Sequence, residues 1–241
     1  MIVLNDLLNY KNYKIYQDTD MFCFSLDSVL LSNFVTLNSK IKKILDIGCG
    51  NAPIPLILTT KTKADIIGIE IQKDVAKLAQ QSVDYNHCTE KVKIYNEDIN
   101  DFYIKQESDS FDVIVSNPPY FKVNKKTKQN ISNYKKIARH EIYLNIEQIC
   151  KISKKLLKNN GVFAIVQRPD RLLEIISCMK KNNIEPKKIQ FIYPKKGKEC
   201  NLVLIEGNKN GKSGLKILQP VYVHNENGDY TNYILSLFSD R

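Results

Sequence analysis

The chain has 241 residues, 43% of them hydrophobic, and a formal net charge of +10. That length is enough for one large α/β domain with a sizeable core, and no Pro/Gly/Ser-rich linker divides it. No apolar run approaches a membrane span and the opening Met1-Ile2-Val3-Leu4-Asn5-Asp6 has no signal-peptide pattern, so a cytoplasmic protein without a membrane partner is expected.

The charge is uneven. Met1 to Val115 holds 12 basic against 16 acidic residues, and Ser116 to Arg241 holds 24 against 10, so the halves carry −4 and +14. A basic half of this kind suits a polyanion such as nucleic acid. The six cysteines and the histidines His87, His140 and His224 are scattered without metal-ligand spacing, so free thiols and no metal site are expected.

Tyr13 to Tyr16 alternates like a short strand, and apolar residues at Leu26, Val29, Leu30, Phe34 and Val35 have helical spacing, with Ser25 or Asp27 as the cap. Residues 1–40 are read as an N-terminal extension whose helix covers the site that follows, packed on a single domain of residues 41–241. Ile44-Leu45-Asp46-Ile47-Gly48-Cys49-Gly50-Asn51 is a strand that ends in an acid and two glycines. Glycines there let a ligand approach the backbone, and Pro53 and Pro55 suit the first turn of the helix that follows. Asp65 to Glu70 is a second strand with a carboxylate at its tip, placed to accept from both hydroxyls of a ribose. Together the glycine turn and this acid point to a nucleoside-type cofactor.

A helix is expected from Gln72 to Asn86, then a strand from Val92 to Asn96 leading to Asp98 and Ile99. Asp98 has two readings: acceptor for an adenine amine, with Ile99 against the ring, or N-cap of the next helix. Phe111 to Val115 is a fourth strand, and after Ser116 comes Asn117-Pro118-Pro119-Tyr120. The prolines stiffen this turn, so that the Asn117 amide and the Pro118 carbonyl offer two acceptors to one amine, and Tyr120 offers a ring for stacking.

The segment from Phe121 to Arg139 carries Lys122, Lys125, Lys126, Lys128, Lys135, Lys136 and Arg139 with no acid, and is read as a basic loop beside the site. Strand-helix alternation then resumes with a helix from Asn145 to Leu157, a strand from Gly161 to Gln167 and a helix from Leu172 to Asn182. Arg168 and Arg171 follow a strand tip. Strands from Lys188 to Tyr193 and Leu202 to Gly207, linked through Lys195 and Lys196, close the sheet, and a helix from Thr231 to Phe238 ends the pattern.

The order of Asp46 with its glycines, Glu70, Asp98 and Asn117 to Tyr120 resembles class I S-adenosylmethionine-dependent methyltransferases. Phe24-Ser25-Leu26-Asp27-Ser28-Val29-Leu30-Leu31, Gly50-Asn51-Ala52-Pro53-Ile54-Pro55-Leu56, Ala138-Arg139-His140-Glu141 and Tyr193-Pro194-Lys195-Lys196-Gly197 resemble, more closely, the bacterial tRNA (adenine-N6) methyltransferases. The chain departs from part of that group at Ala52-Pro53, where a further glycine is common.

The resemblance implies a single Rossmann-like domain with a mostly parallel seven-stranded sheet, an antiparallel last strand and helices on both faces. It implies S-adenosyl-L-methionine as donor and S-adenosyl-L-homocysteine as product, held by Phe24, Asp27, Asp46, Gly48, Gly50, Asn51, Glu70, Ile71, Asp98, Ile99 and Asn117. Asn117, Pro118, Pro119 and Tyr120 would carry the transfer to an adenine N6 of tRNA, at position 37 of a valine tRNA or at another adenine such as one in the D-arm. Tyr120, Phe121, Lys122, Lys125, Lys126, Lys128, Arg139, Arg168, Arg171, Lys195 and Lys196 would meet the tRNA. A monomer with no obligate protein partner is expected. The rival readings are a protein-glutamine N5 methyltransferase, an rRNA amino-methyltransferase and a non-enzymatic RNA-binding relative.

Overall fold

The computed structural model describes residues 1–7, 10, 12–20, 25–118 and 145–238. Runs of β-branched and aliphatic residues form the sheet: β3 (Lys43–Ile47), β4 (Asp65–Ile69), β5 (Val92–Tyr95), β6 (Phe111–Ser116), β7 (Leu157–Gln167), β8 (Ile184–Lys195) and β9 (Leu202–Lys209). Because β3, β4 and β6 are covered on both faces, their sequences are apolar without alternation. In space these strands run β8-β9-β7-β6-β3-β4-β5. All pairs among β5, β4, β3, β6 and β7 are parallel, and β9 lies antiparallel between β7 and β8.

Helices cover both faces. On one side α1 (Leu26–Phe34), α2 (Pro53–Thr59) and α3 (Lys73–Tyr85) bury Leu30, Leu31, Leu56, Ile57 and Val83 against the sheet. On the other, α4 (Ile99–Ile104), α5 (Ile146–Leu156) and α6 (Leu172–Lys181) bury Phe102, Ile149, Leu156, Ile175 and Met179. No helix among the described residues is long and apolar enough to cross a membrane.

The expected seven-stranded sheet is present within a wider one. Two short strands, β10 (Lys216–Ile217) and β11 (Val221–His224), pair parallel to β8 and bring the sheet to nine. Segments this short carry too little periodicity to read from sequence. The strand expected from Gly161 begins instead at Leu157, directly after a helix closed at its other end by an Asn145–Gln148 capping box. β8 is also longer than expected, running through Pro186 with a register shift before Lys188, where the missing proline N–H costs no ladder bond. The last helix, α7 (Asn232–Ser236), is shorter than Thr231 to Phe238.

The first residues form a hairpin of β1 (Ile2–Asp6) and β2 (Lys14–Asp18). Side chains of α3 anchor its inner strand in place of a neighbouring strand. Asn86, at the end of α3, accepts from Lys14 N at 2.9 Å, and Ser82 Oγ accepts from Tyr16 N at 2.9 Å. Tyr10 is fully buried; its hydroxyl donates to the Leu237 carbonyl and accepts from Asn33 Nδ2 of α1 at 3.0 Å.

Gly207 in β9 faces the register shift in β8, and a Cβ there would lie 2.6 Å from the Glu185 carbonyl oxygen and against Met179 Cε. Gly207→Ala is expected to cost about 1–3 kcal/mol through this overpacking, read as a lower urea midpoint at unchanged slope.

Candidate active site

The glycine turn after β3 is fixed by the tip of β4. The Ile69 carbonyl accepts from both Gly48 N at 2.9 Å and Cys49 N at 3.0 Å, which folds the turn across the neighbouring strand. Gly68 makes room for this: a Cβ on it would stand 2.8 Å from Cys49 Sγ. Gly48 and Gly50 take φ of 74° and 56°, and Ala52 takes 70°. That left-handed geometry costs a non-glycine residue roughly 1–2 kcal/mol. The position where the sequence departs from its resembling group is thus one that glycine would occupy without strain.

Glu70 closes the turn. Its carboxylate accepts from Gly50 N at 3.0 Å and Gln72 N at 2.9 Å. Burial raises its pKa, and these N–H donors oppose the rise. Asn96 Nδ2 steadies the same tip by donating to the Glu70 carbonyl at 2.9 Å and the Ile71 carbonyl at 3.0 Å. Asp46 is fully buried, and neither carboxylate oxygen has a hydrogen-bond partner among the described residues. Burial pushes its pKa well above the carboxylate range, with the Glu70 charge as the second cause. An unpaired buried acid is costly in an isolated fold and is met by a ligand that brings a cation or N–H donors.

Asp98 caps α4, its Oδ1 accepting from Asn100 N at 2.8 Å and Asn100 Nδ2 at 2.9 Å, and Ile99 is buried in the first turn. The cap reading therefore holds, and Oδ2 stays outside these bonds. Ser116 Oγ donates to the Ile47 carbonyl at 2.8 Å, joining the tips of β6 and β3 beside Asp46. Asn117 follows, its Nδ2 donating to Ser28 Oγ of α1 at 3.3 Å, and Pro118 is buried. Asp27 lies in the first turn of α1. Ser25 is the N-cap residue, yet its buried hydroxyl makes no cap bond.

Five strand-tip groups are thus gathered on one edge of the sheet: Asp46, the Gly48–Gly50 turn, Glu70 with Ile71, Asp98 with Ile99, and Asn117 with Pro118. Two expected residues have other engagements. The Asn51 side chain is buried and donates to the Tyr16 carbonyl at 3.0 Å, so it ties down the hairpin. Arg171 is not an open cation: it is 6% exposed and bonds Glu174 at 2.8 Å and 3.2 Å. Arg168, by contrast, is exposed and donates to the Asn201 carbonyl at 2.9 Å, and Lys195 at the end of β8 and Lys196 after it are exposed. Phe24, Pro119, Tyr120, Phe121, Lys122, Lys125, Lys126, Lys128 and Arg139 lie outside the described residues. Ser28 lies in the Phe24 to Leu31 stretch next to Asp27, and Asn96 directly follows β5; that adjacency is the sequence signal that marks them.

Residues 38–216 match a family model described as a methyltransferase domain. The chain belongs to that family. This methyltransferase is 26% identical over 193 residues to a tRNA1(Val) (adenine(37)-N6)-methyltransferase of Parabacteroides distasonis, covering 79% of this chain and 78% of that one. It is 28% identical over 201 residues to the protein of that name in Phocaeicola vulgatus, covering 83% of each. To the one in Photorhabdus laumondii it is 26% identical over 243 residues, covering 99% and 96%. Among solved structures, a predicted O-methyltransferase of Agrobacterium tumefaciens shares the fold at a TM-score of 0.70 and 18% identity, covering 88% of this chain and 95% of that one. Geranyl diphosphate C-methyltransferase of Streptomyces coelicolor shares it at 0.58 and 11%, covering 76% of each.

Asp46 gives a stability prediction with a definite sign. Its pKa is raised in the folded protein, so between the ordinary carboxylate value and the raised one the native state binds more protons than the unfolded chain, and stability falls as pH rises through that window. Asp46→Asn is expected to stabilise the methyltransferase without ligand by about 1–3 kcal/mol at pH 8. The gain should vanish near pH 3.5, as thermal unfolding at both pH values would reveal.

Proposed function

We propose that this methyltransferase transfers a methyl group from S-adenosylmethionine to the exocyclic N6 amine of an adenine in tRNA, with position 37 of a valine tRNA as the first substrate to test. The observation that carries the reading is the bond from Asn117 Nδ2 to Ser28 Oγ. It orients the carboxamide, so that the amide oxygen is the acceptor end, followed in the chain by the Pro118 carbonyl. The names of the relatives and the basic second half of the chain agree with a tRNA substrate.

The residues present fit the donor. Asp46 would meet a cationic or N–H-bearing group with its unpartnered carboxylate. Glu70 has acceptor capacity for ribose hydroxyls beyond the bonds it gives Gly50 and Gln72, since a carboxylate has about four lone-pair sites. Asp98 Oδ2 would take an adenine amine, with Ile99 against the ring. When bound, S-adenosylmethionine supplies a methyl group on a sulfonium and leaves as S-adenosylhomocysteine. Asn117 Oδ1 and the Pro118 carbonyl accept the two N–H bonds of the target amine, which draws its lone pair out of conjugation and aims it at the methyl carbon. Neither acceptor is a strong base, so the residues act by alignment and the proton leaves to solvent after transfer. Residues 1–40 form the cover of this site through α1, and Arg168, Lys195 and Lys196 extend the RNA contact along the strand tips.

Mass-spectrometric mapping of tRNA from a deletion strain tests the whole reading: one N6-methyladenosine should disappear, and a tRNA pool with every N6-methyladenosine retained would refute it. Asn117→Ala should lower turnover by about 100-fold or more with donor affinity unchanged. Ser28→Ala should lower kcat by roughly two- to tenfold, as expected for one neutral hydrogen bond, and Ser28→Thr should restore it. Replacing Lys125, Lys126 and Lys128 by Ser should reduce the slope of log tRNA affinity against log salt by about 0.7–0.9 per lost phosphate contact, with donor affinity unchanged.

A further inference from the structure

The outer edge of the sheet carries a feature that methyl transfer does not use. β11 pairs parallel with β8, matching Tyr222 to Tyr193 and His224 to Lys195. Alternate residues of a strand share a face, so these four side chains lie on one side of the sheet, opposite the buried Val221 and Val223. The Tyr193 and Tyr222 rings pack at 5.5 Å. His224 stacks on Tyr230 at 4.9 Å and 18°, and Phe238 meets Tyr230 edge-on at 5.1 Å.

A tight turn holds this assembly. Asn225 N donates to the Asp229 carbonyl at 2.8 Å, Asn225 Oδ1 accepts from Asn227 N and Asp229 N at 3.0 Å each, and Thr231 N and Oγ1 bond the Val223 and Tyr222 carbonyls. Although so fixed, Tyr222 and Tyr230 are 38% and 41% exposed. Beside them is an open cleft of about 590 Å³ lined by Pro194, Lys195, Lys198, Glu199, His224 and Gly228, within the range of small-ligand clefts.

Exposed flat rings, lysines at the rim and polar groups that suit the edge of a base form the chemistry that binds unpaired nucleotides. Glu199 favours a base amine inside the cleft, while Lys195 and Lys198 on its wall, with the neighbouring Lys196, supply charge for the backbone. The position agrees. β6, β7, β8 and β11 run parallel, so Asn117, Arg168, Lys195 and His224 follow one another along a single sheet edge. Four strand spacings, about 19 Å, separate Asn117 from His224 across the sheet, and the registers set His224 about five residues further along the strands, so the two lie roughly 25 Å apart, a span of several nucleotides.

We propose that this cleft is a second RNA subsite, where an unpaired base several nucleotides from the target adenine stacks on the exposed Tyr222 and Tyr230 rings with its edge toward Glu199. The inference rests on tRNA being the substrate. The subsite sets affinity and the choice of loop, and the methyl-transfer step proceeds without it.

The test compares wild type, Tyr222→Leu, Tyr230→Leu and Tyr222→Phe for binding and methylation of valine tRNA, intact and assembled with one anticodon-loop nucleotide lacking its base. Both Leu variants should bind intact tRNA roughly tenfold more weakly, raise KM and leave kcat, donor affinity and the salt slope unchanged, because stacking neutralises no phosphate. Tyr222→Phe should behave as wild type, which separates ring loss from misfolding. Removing the base at one loop position should cost wild type the same roughly tenfold and cost Tyr222→Leu nothing more. A wild type that methylates tRNA while both Leu variants match its affinity and KM overturns the subsite alone. If the wild type neither binds nor methylates tRNA, the substrate reading fails and the subsite falls with it.

Discussion

Two hydrogen bonds onto one carbonyl govern the site. Ile69 ends β4 and accepts from both Gly48 and Cys49, so the turn leaving β3 must lie across its neighbour before the chain enters α2. Every other contact of the turn depends on that fold. Cys49 can come down only because Gly68 has no side chain, and Gly50 reaches the Glu70 carboxylate only once the turn is down. The arrangement buries two acids together, and burial raises the pKa of each. A fold under selection for stability alone would place amides there. On the proposed function, the carboxylates trade stability for affinity toward a ligand that carries complementary donors.

Asn117 couples this half of the site to α1. Its strand is pinned to β3 through Ser116, and its carboxamide is turned by Ser28 on the helix above. The groups contributed by the sheet and the group contributed by the covering helix therefore meet at one side chain. A shift of α1 would be felt first as a rotation of that amide, so the alignment proposed for Asn117 depends on the helix.

The strand tips were legible because in a parallel sheet the apolar run stops where the chain reaches the open edge, and a polar residue at that stop faces the ligand side. Asp46, Glu70, Asp98 and Asn117 all follow such runs. Asn51 defeats the same logic: it neighbours Gly50 in sequence, but its amide turns to Tyr16, and the partner lies 35 residues earlier. Arg171 fails for a different reason. Three positions in sequence separate the exposed Arg168 from the buried Arg171 at the start of a helix, and Glu174 three residues further on gives Arg171 a partner within the fold. The edge strands β10 and β11 are only two and four residues long and depend on β8 for their pairing, so their existence is a tertiary fact. The aromatic edge was hidden likewise, since Tyr193, Tyr222, His224 and Tyr230 become a surface only once β11 is in register.

Tyr10 bears on how the protein is made. It binds Asn33 of α1 and the Leu237 carbonyl at once, and the second contact closes a separation of 227 residues. A ribosome releases the chain from its N-terminus at about 5–20 residues per second, so this anchor for α1 emerges 227 residues after Tyr10. The sheet and its glycine turn can form while α1 still lacks that anchor, and α1 gains it when the Leu237 carbonyl docks on Tyr10. A chain without Leu237 would keep the strand tips but lose the carbonyl that holds Tyr10 and, through Tyr10, Asn33 of α1.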